Sequence, residues 1–260
     1  TVQLYKMGQE GVPTIAEYLR QTLKEGETIG FDGRVVNAAW GKSLLEIARE
    51  KSGSLYVNED LIDIIWKDRP PMSKSPVTIF DIKYTGKDTK DKLSDVRKVI
   101  REKEADLHMI SSLYDIAWIL NVRGGDISYV PVVLSFLSLT QDTCTWYVQE
   151  EIITPKLRKY LDKYNITTKP YESFYDDVKA IPAGKKMLMD TSIANYRIYS
   201  NISADVEVID EPDPTVYMKS IKNEVEIANI REAHKKDAVA MIKFMYWLKT
   251  NVGKIHMTEL

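Results

Sequence analysis

A single cysteine, Cys144, leaves nothing for a disulfide within the 260-residue chain. That excludes the small disulfide-stapled folds of secreted proteins and fits a reducing, cytoplasmic setting. Charge of one sign is also lacking. Lysine and arginine total 36 against 38 acidic residues, for a net charge of -2, and no stretch gathers the positive charge that a phosphate backbone attracts. No nucleic-acid partner is expected. No apolar run reaches the eighteen or so residues of a membrane span, so no membrane partner is expected either. The first residues carry neither a basic region nor a signal-like apolar core.

The three histidines, His108, His234 and His256, stand far apart. None belongs to a His-Glu-x-x-His or Cys-x-x-Cys pattern, and one cysteine makes no thiolate site. Local metal motifs are therefore absent. His234, near an apolar stripe, and His108, in a strand-like run, read as packed core histidines. Cys144 sits in the alternating run 143–148 and reads as a buried strand thiol.

What is present is an ordinary globular composition, 44% hydrophobic, with helix and strand signals alternating along the chain. That order predicts α/β or α+β layers. The opening, Thr1-Val-Gln-Leu-Tyr-Lys-Met7, is strand-like, lacks an initiating methionine and reads as a cut end. Thr14 precedes Glu17 by three, a capping box, and Ile15, Tyr18, Leu19, Thr22 and Leu23 follow at helical spacing. A strand is expected at 28–32 and a helix with Trp40, Leu44, Ile47 and Ala48 inward. A strand at 54–57 and an amphipathic exit at 61–66 complete this first unit. Pro70 and Pro71 then stop the helix, and a boundary is placed near Tyr84.

The second unit opens with a helix over 89–103, with Leu93, Val96 and Ile100 inward, a strand over 107–111 and a helix over 113–121. Strands over 132–140 and 143–148 are separated by Gln141-Asp142, a hairpin spacing without the usual glycine. Helices at 155–164, 174–180 and 194–201 alternate with strands at 166–170, 186–190 and 206–209. Both units end with a strand carrying an aspartate (Asp32, Asp190), a helix and a strand. Duplication or the common grammar of α/β units would each produce that order. The last and longest helical signal follows Asn223, an N-cap. Ile227, Ile230, Met241, Met245 and Leu248 form a stripe that needs a large partner surface.

Other constellations have structural readings. Ser112 to Asp115 has capping-box spacing, and Arg123-Gly-Gly-Asp126 reads as a helix exit with Gly124 or Gly125 at positive φ rather than as a phosphate loop. Trp118, Trp146 and Trp247 read as core, and Trp66 as cover for an interface.

Three segments carry a family resemblance. Ile221-Lys-Asn-Glu-Val-Glu-Ile-Ala-Asn-Ile-Arg-Glu-Ala-His234, continuing to Asp237-Ala-Val-Ala and Tyr246-Trp-Leu248, resembles the first catalytic-domain helix of the aminopeptidase P family. Ser112-Leu-Tyr-Asp-Ile-Ala-Trp-Ile-Leu-Asn-Val-Arg-Gly124 with Pro131-Val-Val-Leu-Ser-Phe136 is similar to its middle domain. Leu61-Ile-Asp-Ile-Ile-Trp-Lys-Asp-Arg-Pro70 is similar to the end of its first domain. Where the family often has Arg-Gly-Ser-Asp and Asn-Pro, this chain has Arg123-Gly-Gly-Asp126 and Val130-Pro131.

The resemblance implies mixed-sheet α/β (α+β) domains of the creatinase/prolidase N-terminal type flanked by helices, then the first helix of a pita-bread catalytic domain. The implied division is residues 1–84 (end of a first domain), 85–214 (second domain) and 215–260 (start of the catalytic domain). It also implies metal-dependent Xaa-Pro aminopeptidase activity in the parent protein, with peptides bearing proline at the second position as substrates, and a homodimer. Two manganese ions would activate a water there. Their five ligands belong beyond the first catalytic helix, so no catalytic, cofactor-binding or metal residue is carried onto this chain, and it is expected to be inactive and metal-free alone. A catalytically inactive pita-bread relative that binds proteins is the other functional class. It would bring acidic tails and segregated charge, which this sequence lacks.

Overall fold

The computed structural model describes residues 3–258. The elements are α1 (Ile15–Thr22), β1 (Thr28–Gly30), α2 (Ala38–Glu50), β2 (Ser54–Tyr56), α3 (Leu61–Ile65), β3 (Thr78–Ile79), α4 (Ile82–Thr85), α5 (Thr89–Glu102), β4 (Leu107–Ile110), α6 (Leu113–Ile119) and β5 (Val122–Arg123). They continue with β6 (Phe136–Thr140), β7 (Cys144–Tyr147), α7 (Pro155–Lys163), β8 (Thr167–Lys169), α8 (Ser173–Lys179), β9 (Lys186–Met189), α9 (Tyr196–Asn201), β10 (Glu207–Asp210), α10 (Pro214–Ser220) and α11 (Glu224–Asn251).

The main sheet has six strands in the order β10-β9-β4-β6-β7-β8. It is mixed: β10, β9 and β4 run parallel, β4, β6 and β7 are antiparallel neighbours, and β8 runs parallel to β7. All four residues of β4 are buried, as a central strand covered on both faces requires. Ile110 faces the core built from α5, α6 and α7, with Leu93, Val96, Ile100, Ile116, Leu137, Trp146 and Leu161. Leu107 and Met109 face the opposite core with Phe136, Phe174, Val178 and Met187, where the Phe136 and Phe174 rings stack at 4.3 Å. The buried face of α5 is the predicted one, Leu93, Val96 and Ile100.

The hairpin between β6 and β7 turns without glycine because Thr140 does the work locally. Its hydroxyl accepts from the backbone N–H groups of Asp142 and Thr143 at 3.2 and 2.9 Å, a hydroxyl-closed turn. The strand predicted over 132–140 begins only at Phe136. Residues 132–135 are instead held by local contacts, with Asp126 accepting the Leu134 N–H at 2.8 Å. The small β3–β5 pair and the single-turn α4 were not predicted.

The first unit pairs β1 with β2 in parallel, with α2 packed on both strands and α1 packed on α2. The Thr14/Glu17 capping box forms as expected. At the head of the chain, Thr1 and Val2 lie outside the described residues, and Gln3 to Lys6 form no strand; Tyr5 packs edge-on against Tyr18 at 5.2 Å.

The two tails meet about a local two-fold. Asn37 and Asn195, each the N-cap of its helix, bridge antiparallel. Ala38 N donates to Ala194 O and Tyr196 N to Val36 O, both at 2.8 Å; Ala39 N donates to Thr191 O and Arg197 N to Gly33 O, both at 2.9 Å. Adding 158 (195 − 37) to one segment's numbers reproduces the other's bonds. Asp32 and Asp190 obey the same offset, each accepting the N–H two residues on. Duplication is the simpler origin, since the shared grammar of α/β units does not require reciprocal bonding in one register.

Candidate functional site: the joint and face of the long helix

The approach of α11 to the rest of the chain is built from two asparagines. Asn223 caps α11 with its side-chain oxygen, accepting the Glu226 N–H at 3.0 Å, and Glu226 returns the bond to Asn223 N at 3.0 Å. The amide of Asn223 also donates to Thr85 O at 2.8 Å, and that of Asn229 to Lys83 O at 3.0 Å. Two carbonyls left open by the short α4 are thereby satisfied from outside. Gly86 closes α4 at φ +62, and a Cβ there would overlap the Asn223 side chain. Both the left-handed backbone and the close approach require glycine here.

Beneath this joint lies a cavity of about 590 Å³ between α4, α6, β5 and the first half of α11. Lys92 and Arg123 form its cationic floor and Phe80, Tyr84 and Trp118 its aromatic walls. Lys92 is buried. Its ammonium donates to Trp118 O at 2.9 Å and Asn121 Oδ1 at 2.7 Å, and sits 4.3 Å from the Trp118 ring centre. Burial pulls its pKa down to about 8, against the pull of the Glu226 carboxylate, and Arg123 and Lys87 lower it further. Arg123 donates through Nη1 to Ala117 O at 2.9 Å and Val122 O at 2.8 Å and lies 4.4 Å over Phe80. Burial lowers its pKa too, again opposed by Glu226. Together the two cations serve the final carbonyls of α6, at the negative end of that helix's dipole.

Two further ties hold α10, the segment that leads into α11. Asp115 of α6, wholly buried, pairs with Lys219 at 2.6 Å, and its second oxygen has no partner among the described residues. His108, also buried, sits with Nδ1 3.0 Å from Leu188 O and Nε2 3.3 Å from Asp213 Oδ1. Burial tends to raise the Asp213 pKa, but the His108 and Thr215 hydrogen bonds outweigh it and hold the carboxyl below its ordinary value.

Beyond the joint, α11 has no buried residue. Met241 and Met245 of the predicted stripe are exposed, but so are Val239, Ile242, Phe244, Tyr246 and Trp247, with Ile242 at 67% and Tyr246 at 72%. The second half of the helix is apolar on all sides, the pattern of a helix enclosed by other elements rather than laid on a surface.

Several expectations are corrected here. Trp247 and His234, read as core, are exposed because among the described residues no element covers those positions of α11; His108 and Trp146 are buried as read, and Trp118 is partly buried. Ser112 makes no side-chain cap, and the Asp115 carboxylate, which would return the second bond of a capping box, pairs with Lys219 instead. The helix exit places Asn121 rather than a glycine at positive φ, +49. Gly124 answers to space instead, as a Cβ there would lie 2.7 Å from Val132 O. Cys144 is buried, and burial pushes its thiol up to about 12, where it is inert as a nucleophile.

Among the described residues no cluster of three or more His, Cys, Asp or Glu side chains is placed to hold a metal ion. With His108 committed to Leu188 O and Asp213 and the other two histidines exposed, the residues present do not fit a di-metal centre. No described helix is long and apolar enough to cross a membrane.

Residues 68–226 match the family described as the creatinase/prolidase N-terminal domain. A probable Xaa-Pro aminopeptidase P of Aspergillus niger is 33% identical over 259 residues, covering 96% of this chain and 42% of the relative. The corresponding protein of Chaetomium globosum is 33% identical over 258 residues, covering 95% and 41%. The crystal structure of an X-prolyl aminopeptidase from Caenorhabditis elegans, described as a cytosolic enzyme with a di-nuclear active site, is similar with TM-score 0.87 at 26% identity, covering 96% of this chain and 42% of that one. The chain thus spans about two-fifths of the length of these relatives.

Proposed function

Because this chain belongs to the creatinase/prolidase N-terminal domain family, we propose that it is the noncatalytic N-terminal portion of a metal-dependent Xaa-Pro aminopeptidase. The division into residues 1–84, 85–214 and 215–260 is part of this reading. Its two related α/β units shape access to an active site carried elsewhere in the parent protein, and α11 is the element on which the catalytic half is built. The observation that carries the reading is α11 itself: pinned at Asn223 and Asn229, yet apolar all round and uncovered past Val239. The relatives' names add peptides with proline at the second position as substrates. The di-nuclear, cytosolic neighbour adds a pair of metal ions and a cytoplasmic location. Manganese as the metal and a homodimer as the parent assembly complete the proposal.

The test is an assay of this chain alone beside a fusion in which the remaining region of the Aspergillus niger relative continues α11. In the presence of manganese the chain alone releases no residue from Xaa-Pro peptides and holds no stoichiometric metal, whereas the fusion does both. Two tightly held metals per chain, or cleavage by the chain alone, would overturn the proposal. A folded fusion that neither holds metal nor cleaves would favour the protein-binding alternative.

A further inference from the structure

The cavity at the joint has features that capping α6 does not use. Arg123 makes its hydrogen bonds through Nη1 alone; its Nε and Nη2 have no partner among the described residues. That edge of a guanidinium presents two parallel N–H groups, the geometry that takes a carboxylate in two bonds. Lys92, on the same floor, uses two of its three donors. Glu226 is the carboxylate that acts on both cations, but one of its oxygens is already bonded to Asn223 N. Above this floor the walls are apolar: Phe80 stacked with Tyr84 at 5.3 Å, the Trp118 ring, and Ile230 and Ala233 of α11. A volume of about 590 Å³ lies within the range of small-molecule pockets.

We propose that this cavity binds a small organic carboxylate with an aryl or compact apolar body, its carboxylate on the free edge of Arg123 above Lys92 and its body between Phe80, Trp118 and Ile230. The site is lined by residues of this chain. Occupancy bridges β5 and α6 to α11, so the ligand stiffens the joint. Charge supplies the selectivity. Arg123 and Lys87 face Lys92 as like charges and Glu226 as the opposing one, with Lys222, Glu232, Lys236 and Asp237 at the rim. An incoming anion relieves the repulsion on the floor. It also favours protonated Lys92, so affinity is level between about pH 6 and 8, where the ligand is ionised and Lys92 protonated, and falls above that, as the free protein loses the Lys92 proton.

Titration of the chain with 3-phenylpropanoate and with 3-phenylpropanamide, followed by heteronuclear NMR, tests this. The acid is expected to bind about tenfold or more tighter than the amide at pH 7, with that preference shrinking by pH 9.5. Arg123→Gln removes the preference. Glu226→Gln keeps the capping box, which glutamine also makes, and removes the competing charge; it tightens the acid several-fold. Equal binding of acid and amide would overturn the proposal. So would the absence of saturable shifts at the cavity residues, or an unchanged acid affinity in folded Glu226→Gln.

Discussion

The β6–β7 hairpin and the second half of α11 are about equally rich in large apolar side chains, yet they end in opposite environments. Leu137, Leu139, Cys144, Trp146 and Tyr147 are buried between helices on both sides of the sheet. Ile242, Phe244, Tyr246 and Trp247 meet solvent. Composition therefore does not separate core from surface here; the supply of covering elements does. The hairpin has α5, α7 and α8 over its faces, whereas α11 is held at its N-terminal end by a short helix and two asparagine amides.

The sharpest way to break the contrast is to make the same change in both places. Trp146→Ala should cost about 3–5 kcal/mol of stability by urea unfolding, since it empties a filled site in the sheet. Trp247→Ala should stay within about 0.5 kcal/mol in dilute monomer. Equal losses would mean that α11 is covered by something within the chain.

A second test uses pH. Lys92 has its folded pKa pulled to about 8, below the roughly 10.4 of an exposed lysine. Below pH 8 both folded and unfolded chains hold the proton, so the penalty of the buried charge is constant. Between about 8 and 10.4 the unfolded chain binds more protons, and this group's contribution makes stability rise with pH, by about 2–3 kcal/mol across the window. Lys92→Met should remove that rise. A difference between the two proteins that stays flat from pH 7 to 10 would place Lys92 in contact with water and break the account of the cavity floor.

Gly86→Ala is the smallest change. It strains a left-handed residue and pushes on Asn223, for an expected loss of about 1–2 kcal/mol. The effect should appear as faster amide exchange in the first turns of α11 while β4 and β6 keep their protection. Uniform weakening across the sheet would show that the joint and the sheet unfold as one unit.

Much of this architecture was legible because its signals are local. The three-residue spacing from Thr14 to Glu17 specifies a cap, and Leu93, Val96 and Ile100 specify a face, whatever the rest of the chain does. The pairing of β3 with β5 was not legible, as two residues carry no period and their partners lie 45 and 43 positions apart (123 − 78 and 122 − 79). Asp115 was misread because Lys219, its partner, is 104 residues away, and a long-range ion pair outweighed the local cap. His234 and Trp247 were misread for the opposite reason: their helical pattern is that of core positions, but the elements that would make it a core are not among those described. The cavity could have been anticipated only in part. Lys92 sits on the inward side of α5 beside Leu93 and Val96, a lysine where the pattern calls for an apolar residue, and that mismatch was the available signal.

The central claim is that α11 is an anchored helix without its covering surface. Hydrogen exchange on a dilute monomeric sample tests it most directly, by comparing amides of α11 with those of β6 and β7. Protection in the strands, intermediate protection near Asn223 to Asn229 and rapid exchange beyond Val239 is the result this account predicts. Protection along the whole of α11 equal to that of the strands would contradict it, because the chain would then already contain the surface that its apolar sides require.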